Sequence, residues 1–271
     1  MSESLSVSIV VPVYNEAASL ADFLTHLVSV MRSQDQIIVV DGESTDHTEQ
    51  VIHDFLALQL SQSATVRVHY IKSRKGRAVQ MNLGARMATG EVLLFLHADT
   101  LLPLKTFDCL LRAAQKLQMG IKFWGRFNVK IQGRSVWLPL IGFFVSLRSR
   151  LTRISTGDQG LFLSKSLFNR VGGFYDQPLM EDIELCKTLK TQPDAQFIAI
   201  QESVVTSGRR WESHGVWPTV WLMWVLRYQY WRGANAYDLA RKYRDVRQGI
   251  ESNHAAACSL AGLDQTQNER T

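Results

Sequence analysis

The chain has 271 residues, 46% of them hydrophobic and 20% charged, the make-up of a globular protein that buries a substantial core. A net charge of +5 favours anionic partners and leaves nucleotide, phosphate and membrane surface open. Cys109, Cys186 and Cys258 lie far apart with no CxxC spacing, which argues against a disulfide framework and a cysteine zinc site and fits a reducing compartment. The opening residues MSESLSVSIVV lack the basic and apolar regions of a cleavable signal. The longest stretch without Asp, Glu, Lys or Arg, Ser213–Leu226, is 14 residues, short of the ~18 apolar residues that a spanning helix needs. These features point to a cytoplasmic protein, soluble or peripheral to a membrane.

In chain order, Val7–Pro12 reads as a buried strand, with a helix from about Glu16 and Asn15 as its N-cap. Gln36–Val40 is a second strand, followed by a helix over Thr45–Leu60. Val66–Ile71 is a third strand, Arg77–Met87 a helix and Val92–Leu96 a fourth strand. Strands apolar along their length and separated by helices predict an α/β fold, a mostly parallel sheet covered on both faces. Ligands of such sheets gather beyond the carboxyl ends of the strands. Three of the four strand ends carry polar clusters: Tyr14-Asn15-Glu16, Asp41 to Asp46, and His97-Ala98-Asp99. No GxGxxG follows the first strand and no GxxxxGK[ST] occurs anywhere, which disfavours a dinucleotide oxidoreductase.

Beyond Pro103 come a helix near Thr106–Leu117, a strand over Lys122–Ile131 and an aromatic and aliphatic stretch, Trp137–Leu147. TGDQG (156–160), a short strand LFLS and the acidic LMEDIELCKTLK (179–190) follow. With no long linker, repeat or low-complexity segment, the expected organisation is one domain over residues 1–205. Its first half is about 1–102, and its second, about 103–205, is expected to hold a second substrate. A helical extension, 206–250, and a flexible tail, 251–271, complete it.

The ordered set SIVVPVYNE (8–16), IIVVDGESTDHT (37–48), KGRAVQMNLGARMATGEVLLFLHADT (75–100) and MEDIEL (180–185) resembles family 2 glycosyltransferases, nucleotide-sugar-dependent enzymes of the GT-A fold. The resemblance covers roughly residues 5–200, and it rests on the order of the motifs rather than on any one. It implies that Pro12, Tyr14 and Glu16 line the nucleotide pocket and that Asp41 hydrogen-bonds the base. It implies further that Lys75 and Arg77 approach the nucleotide and its phosphates. HAD (97–99) occupies the place of the family's DxD motif, with Asp99 as the metal ligand, and Asp182 of the Glu181-Asp182 pair matches the general base. The implied cofactor is Mg²⁺ or Mn²⁺. The implied partner is a UDP- or GDP-linked sugar, with no nucleic acid. His97 departs from the pattern, since the family more often has an acid there; an imidazole can bind metal or only hydrogen-bond the ribose or diphosphate.

The residue types suit the chemistry independently. Cleaving an anomeric carbon–oxygen bond leaves charge on a nucleoside diphosphate, which a metal held by a carboxylate neutralises. An acceptor hydroxyl needs a carboxylate base on the opposite side of the sugar. Arg209, Arg210 and Lys75 are expected to add positive charge on the phosphate side.

Plainer readings stand beside these. Asp41 and Asp46 serve equally as turn formers and helix-start residues, and Asp99 as a strand-end residue. Glu181, Asp182 and Glu184 suit the acidic first turn of a helix. Asp158 and Gln159 contact donor sugar or acceptor, or only shape a turn. Of the Gln-x-x-Arg-Trp motif of polymerising relatives only Arg210-Trp211 is present, Ser207 standing where the glutamine would fall. His214 is a metal ligand or a helix-start residue. Trp217, Trp221, Trp224, Tyr228 and Trp231 share one helix face. Core packing is the leading expectation for it, and an apolar or lipid-linked acceptor or a membrane surface the alternative. A nucleotidyltransferase and an inactive nucleotide-sugar-binding protein remain as rivals.

Overall fold

The computed structural model describes residues 5–61 and 66–245. It divides into two compact units, Met1–Gln177 with Glu181–Ser207, and Pro178–Met180 with Gly208–Thr271.

The first unit begins with β1 (Val7–Val13), α1 (Ala17–Val30), β2 (Gln36–Asp41), α2 (Thr48–Ser61), β3 (Arg67–Lys72), α3 (Arg77–Met87) and β4 (Val92–Phe95). β2 and β4 are buried at every position. Strands without a polar face stay in place only where helices cover both sides of the sheet. Val10, Ile38, Val40 and Phe95 accordingly join Met81 of α3 in the main core cluster. β3, with Arg67 and Lys72 exposed, closes one edge of the sheet.

The later elements are β5 (Thr100–Leu101), α4 (Leu104–Ala114), β6 (Lys122–Gln132), α5 (Leu138–Thr152), β7 (Leu161–Ser164), α6 (Lys165–Val171), α7 (Glu181–Lys190) and β8 (Ala195–Ser207). All eight strands form one sheet in the order β3-β2-β1-β4-β7-β6-β8-β5. The pairs β1–β2, β1–β4, β2–β3 and β6–β8 are parallel, while β7 runs antiparallel to both β4 and β6. The α/β, mostly parallel sheet with flanking helices expected from the sequence is the fold observed.

Two local expectations are corrected. The N-cap of α1 is Glu16 rather than Asn15, because Asn15 takes a left-handed conformation with φ 56° one residue earlier. The 13-residue strand β8 escaped prediction, its polar and apolar residues following no clean alternation.

At the amino-terminal edge of the sheet the polar groups are consumed by structure. Asp35, fully buried, accepts hydrogen bonds from the Val7 N–H at 2.9 Å and the Arg32 N–H at 3.0 Å. It also forms a two-pronged ion pair with the Arg32 guanidinium, both bonds 2.9 Å. Gln36 Oε1 accepts from Ser8 Oγ and from both the N–H and the hydroxyl of Thr89.

The second unit holds α8 (Arg209–His214), α9 (Val216–Trp231) and a helical stretch over 236–245. The aromatic face of α9 is not core: Trp217, Trp221, Trp224, Tyr228 and Trp231 are all exposed, Trp231 at 74%. The buried positions are Thr219 and Leu226, each two residues from an aromatic and therefore about 200° around the helix. Among the described residues no helix is long and apolar enough to cross a membrane. The side chains of Arg210 and His214, and the tail 251–271, lie outside the described residues.

Candidate active site

The register aligns Val13 with Asp41 and Val10 with Phe95, so the carboxyl ends of β1, β2 and β4 open on one edge. Pro12 stands just past the last β1–β4 pair, where the ladder closes through the Leu96 N–H and the Val10 carbonyl at 3.1 Å. A residue without an N–H costs no ladder bond on that side.

Past β1 the chain turns sharply. Asn15, a residue that tolerates positive φ, donates from its backbone to Ser44 Oγ at 2.9 Å and accepts from the Thr45 N–H at 2.8 Å. The first and second edge clusters are thereby tied together. Asp46 belongs to that tie. It accepts from the Ala17 N–H at 3.1 Å and from the Thr48 N–H and hydroxyl at 3.0 and 2.5 Å. Burial pushes its pKa up, but the hydrogen bonds from Thr48 and Ala17 outweigh it and hold the carboxyl below its ordinary value. Glu16, partly buried, accepts from Ser19 Oγ at 3.4 Å.

Asp41 is buried at the end of β2. One oxygen accepts from the N–H and hydroxyl of Ser44, at 3.1 and 2.5 Å, and the other from Tyr70 OH at 3.2 Å. Burial and the Asp41 charge push the Tyr70 hydroxyl well above its usual range, so Tyr70 stays a donor. A carboxylate has about four acceptor sites, so these three bonds still leave room for one more. Gln80 was missed in the sequence. Buried on α3, it donates to the carbonyls of Val13 and Val40, both at 2.8 Å, and pins the two strand ends. A polar residue within the buried stripe of a helix was the available signal.

Lys75 and Arg77 flank Gly76 at the start of α3. The Lys75 ammonium lies 3.7 Å from the centroid of the Tyr14 ring, a cation–π contact that joins two residues expected at the nucleotide.

The third cluster continues from β4. His97 is partly buried, and its ring lies against Gly157, where an added Cβ would come within 2.3 Å of Cε1. Asp99, partly buried, accepts from Thr100 Oγ1 at 3.2 Å, and its backbone carbonyl accepts from the Ser207 N–H at 3.1 Å. Gly157 in turn donates its N–H to Asp182 Oδ2 at 3.0 Å, and the Ile183 N–H donates to Asp182 Oδ1 at 2.8 Å. One glycine thus touches both the strand-end histidine and the carboxylate at the start of α7.

The turn that carries Gly157 is fixed by its neighbours. Thr156 and Gln159 form a capping box around a short 3₁₀ turn, Gly157–Gln159. Gln159 is fully buried and donates to Ser149 Oγ at 2.9 Å and the Phe127 carbonyl at 3.3 Å, so its amide braces the turn. Asp158, partly buried, lies between them. Arg209, exposed, and Trp211, partly buried, stand on α8 of the second unit.

Glu181 is buried at the first position of α7. Burial and the adjacent Asp182 charge raise its pKa to about 7, against the opposing pull of Arg77. Its proton is held more tightly in the folded chain than in the unfolded one. Its contribution to stability is therefore greatest at acid pH and is lost as pH rises from the ordinary carboxylate range through about 7. Glu181→Gln is expected to flatten the fall in melting temperature between about pH 5 and about pH 8. A fall of unchanged steepness in a pH series of thermal melts would contradict this.

Among the described residues no group of three or more His, Cys, Asp or Glu could by itself cage a metal ion. A Mg²⁺-type ion is commonly bound through one or two carboxylates plus substrate phosphates and water, a mode that needs no such group.

With this geometry in place, comparison with known proteins is informative. Residues 8–172 match the family described as Glycosyl transferase family 2. The glycosyltransferase GlyG of Streptococcus pneumoniae is 25% identical over 122 residues, 45% of this chain and 39% of that protein. The chain thus matches well under half the length of that relative. Mannosyltransferase PcManGT from Pyrobaculum calidifontis, solved with GDP-Man and Mn²⁺, superposes with a TM-score of 0.62 at 21% identity, over 99% of this chain and 81% of that one. TarS 1-349 of S. aureus, solved with UDP-GlcNAc, gives a TM-score of 0.55 at 19% identity, over 76% of this chain and 59% of that one. At these identities the structural matches speak to the fold.

Proposed function

Because the chain belongs to glycosyl transferase family 2, we propose that it moves a sugar from a UDP- or GDP-linked donor to an acceptor hydroxyl, inverting the anomeric carbon. The observation that carries this reading is the Gly157 junction, where His97 of the donor-side edge and Asp182 at the start of α7 meet one residue. A donor diphosphate on one side of the sugar and a base on the other is what in-line displacement requires.

In this reading Asp41 accepts from the imide N–H of the base, and Pro12, Tyr14 and Glu16 line the nucleotide. Lys75 and Arg77 face the phosphates. Asp99, with His97 beside it, would hold Mg²⁺ or Mn²⁺. That ion, when bound, neutralises the charge that develops on the leaving diphosphate. Asp182 takes the acceptor's proton as the hydroxyl attacks. Burial and the Asp182 charge raise the Glu181 pKa to about 7, so Glu181 holds its proton well above the ordinary carboxylate range. Residues up to about 102 serve the donor and 103–205 the acceptor, with Asp158 on the acceptor side. The exposed aromatic face of α9 supports an apolar or lipid-linked acceptor at the inner, cytoplasmic face of a membrane.

An inactive binding protein has no need of a base at Asp182. A nucleotidyltransferase would need a glycine- and basic-rich first loop, and Pro12–Glu16 contains neither. Thermal melts with UDP- and GDP-sugars, with and without Mn²⁺, test the proposal. One donor is expected to raise the melting temperature, and more so with Mn²⁺, because a ligand that binds only the folded state stabilises it. No shift with any such donor under either condition would overturn it.

A further inference from the structure

Helix α5 is built inside out. Its buried stripe is Leu138, Gly142, Ser146 and Ser149, small or polar after the first residue. That stripe is committed to β6: an added Cβ on Gly142 would lie 2.8 Å from the Val129 carbonyl oxygen. The Val129 N–H donates to Ser146 Oγ at 3.1 Å, and Arg126 Nη2 donates to the Ser146 carbonyl at 2.8 Å. The outward side carries Leu140, Phe143, Phe144, Leu147 and Leu151, with Phe143 exposed at 60% and Leu151 at 75%. A water-facing helix has the opposite arrangement, and contiguous exposed apolar surface of this kind marks a contact site.

Charge identifies the occupant. No residue from 109 to 157 is acidic, and Arg150 and Arg153 are exposed at the carboxyl-terminal end of α5. With 15 residues the helix is too short to span a bilayer. We propose that α5 is an interfacial helix that lies in the plane of an anionic lipid bilayer, its phenylalanines and leucines among the acyl chains and its arginines at the headgroups. This contact is independent of the donor reading and of the aromatic face of α9.

The test is cosedimentation of the full chain with vesicles of phosphatidylcholine, alone or with about a third phosphatidylglycerol. The wild type is expected to pellet with the anionic vesicles, and much less so at high salt. Phe143→Ser with Phe144→Ser is expected to lower partitioning by roughly tenfold or more. Arg150→Glu with Arg153→Glu should act comparably on anionic vesicles only, by on the order of tenfold. Thermal melts of each variant check folding, and because the replaced side chains point outward the melting temperature should hold. Three results would overturn the proposal: no binding by the wild type, binding unchanged in both α5 variants but lost in Trp221→Ser, or wild-type dimers in sedimentation equilibrium that the phenylalanine variant abolishes. The last would assign the face to a second copy of the chain.

Discussion

Asp182→Asn is expected to lower sugar transfer by roughly 10²–10⁴-fold while donor affinity changes little. Asp182 accepts from the N–H groups of Gly157 and Ile183, and neither bond involves a donor ligand. An asparagine keeps one of these bonds and turns its amide nitrogen toward the other N–H, at a cost of about 1 kcal/mol in stability. The fold survives that loss, but the proton acceptor does not. Glu181→Gln should reduce turnover far less, since Glu181 is buried and its pKa is raised to about 7. Turnover and donor affinity measured for both variants separate the roles. Near-normal turnover for Asp182→Asn would remove it as the base, and a larger loss at Glu181 would move the base one residue back.

Asp35→Ala is expected to give a large loss of stability with no specific effect on donor binding. The carboxylate is fully buried and takes four hydrogen bonds from Val7 and Arg32. Alanine takes the acceptor from the buried Val7 N–H and strips the partly buried Arg32 guanidinium of its carboxylate, leaving it the Leu5 carbonyl at 2.8 Å, at a cost of about 3 kcal/mol. For a chain of this size that corresponds to a drop in melting temperature on the order of 10 °C. Asp41, at the other end of β2, opens on the site edge instead. A stability loss at Asp35 well under 1 kcal/mol, measured by denaturant unfolding, would contradict this division of labour.

The first half of the fold was legible in the sequence because its strands are mostly apolar and its helices follow in strict alternation. β1, β2, β3 and β4 lie within a residue or two of their expected places. The polar clusters at the strand ends were legible for the same reason, and the parallel register brings them to one edge. The second half was harder. β8 mixes Gln201, Glu202 and Ser203 into its middle, next to the irregularity in its pairing with β6. The inversion of α5 could not be read from its composition, since Trp137–Leu147 looks like core until Gly142 and Ser146 are seen to face β6. On α9, regular aromatic spacing marks a face but not what lies opposite it. Gln80 shows in the sequence only as a polar residue in a buried helix stripe, and its strand-end partners, like the Asp182 partner of Gly157, are distant in sequence.

The central claim is that the common edge of β1, β2 and β4 binds a nucleoside diphosphate together with a divalent ion at Asp99. Titration calorimetry of UDP and GDP into the wild type and Asp99→Ala, each with and without Mn²⁺, tests it most directly. One of the two nucleotides should bind the wild type more tightly with Mn²⁺, and Asp99→Ala should lose that metal-dependent gain while keeping its melting temperature. Equal affinity of the two proteins in the presence of Mn²⁺, or no binding of either nucleotide by the wild type, would contradict the account.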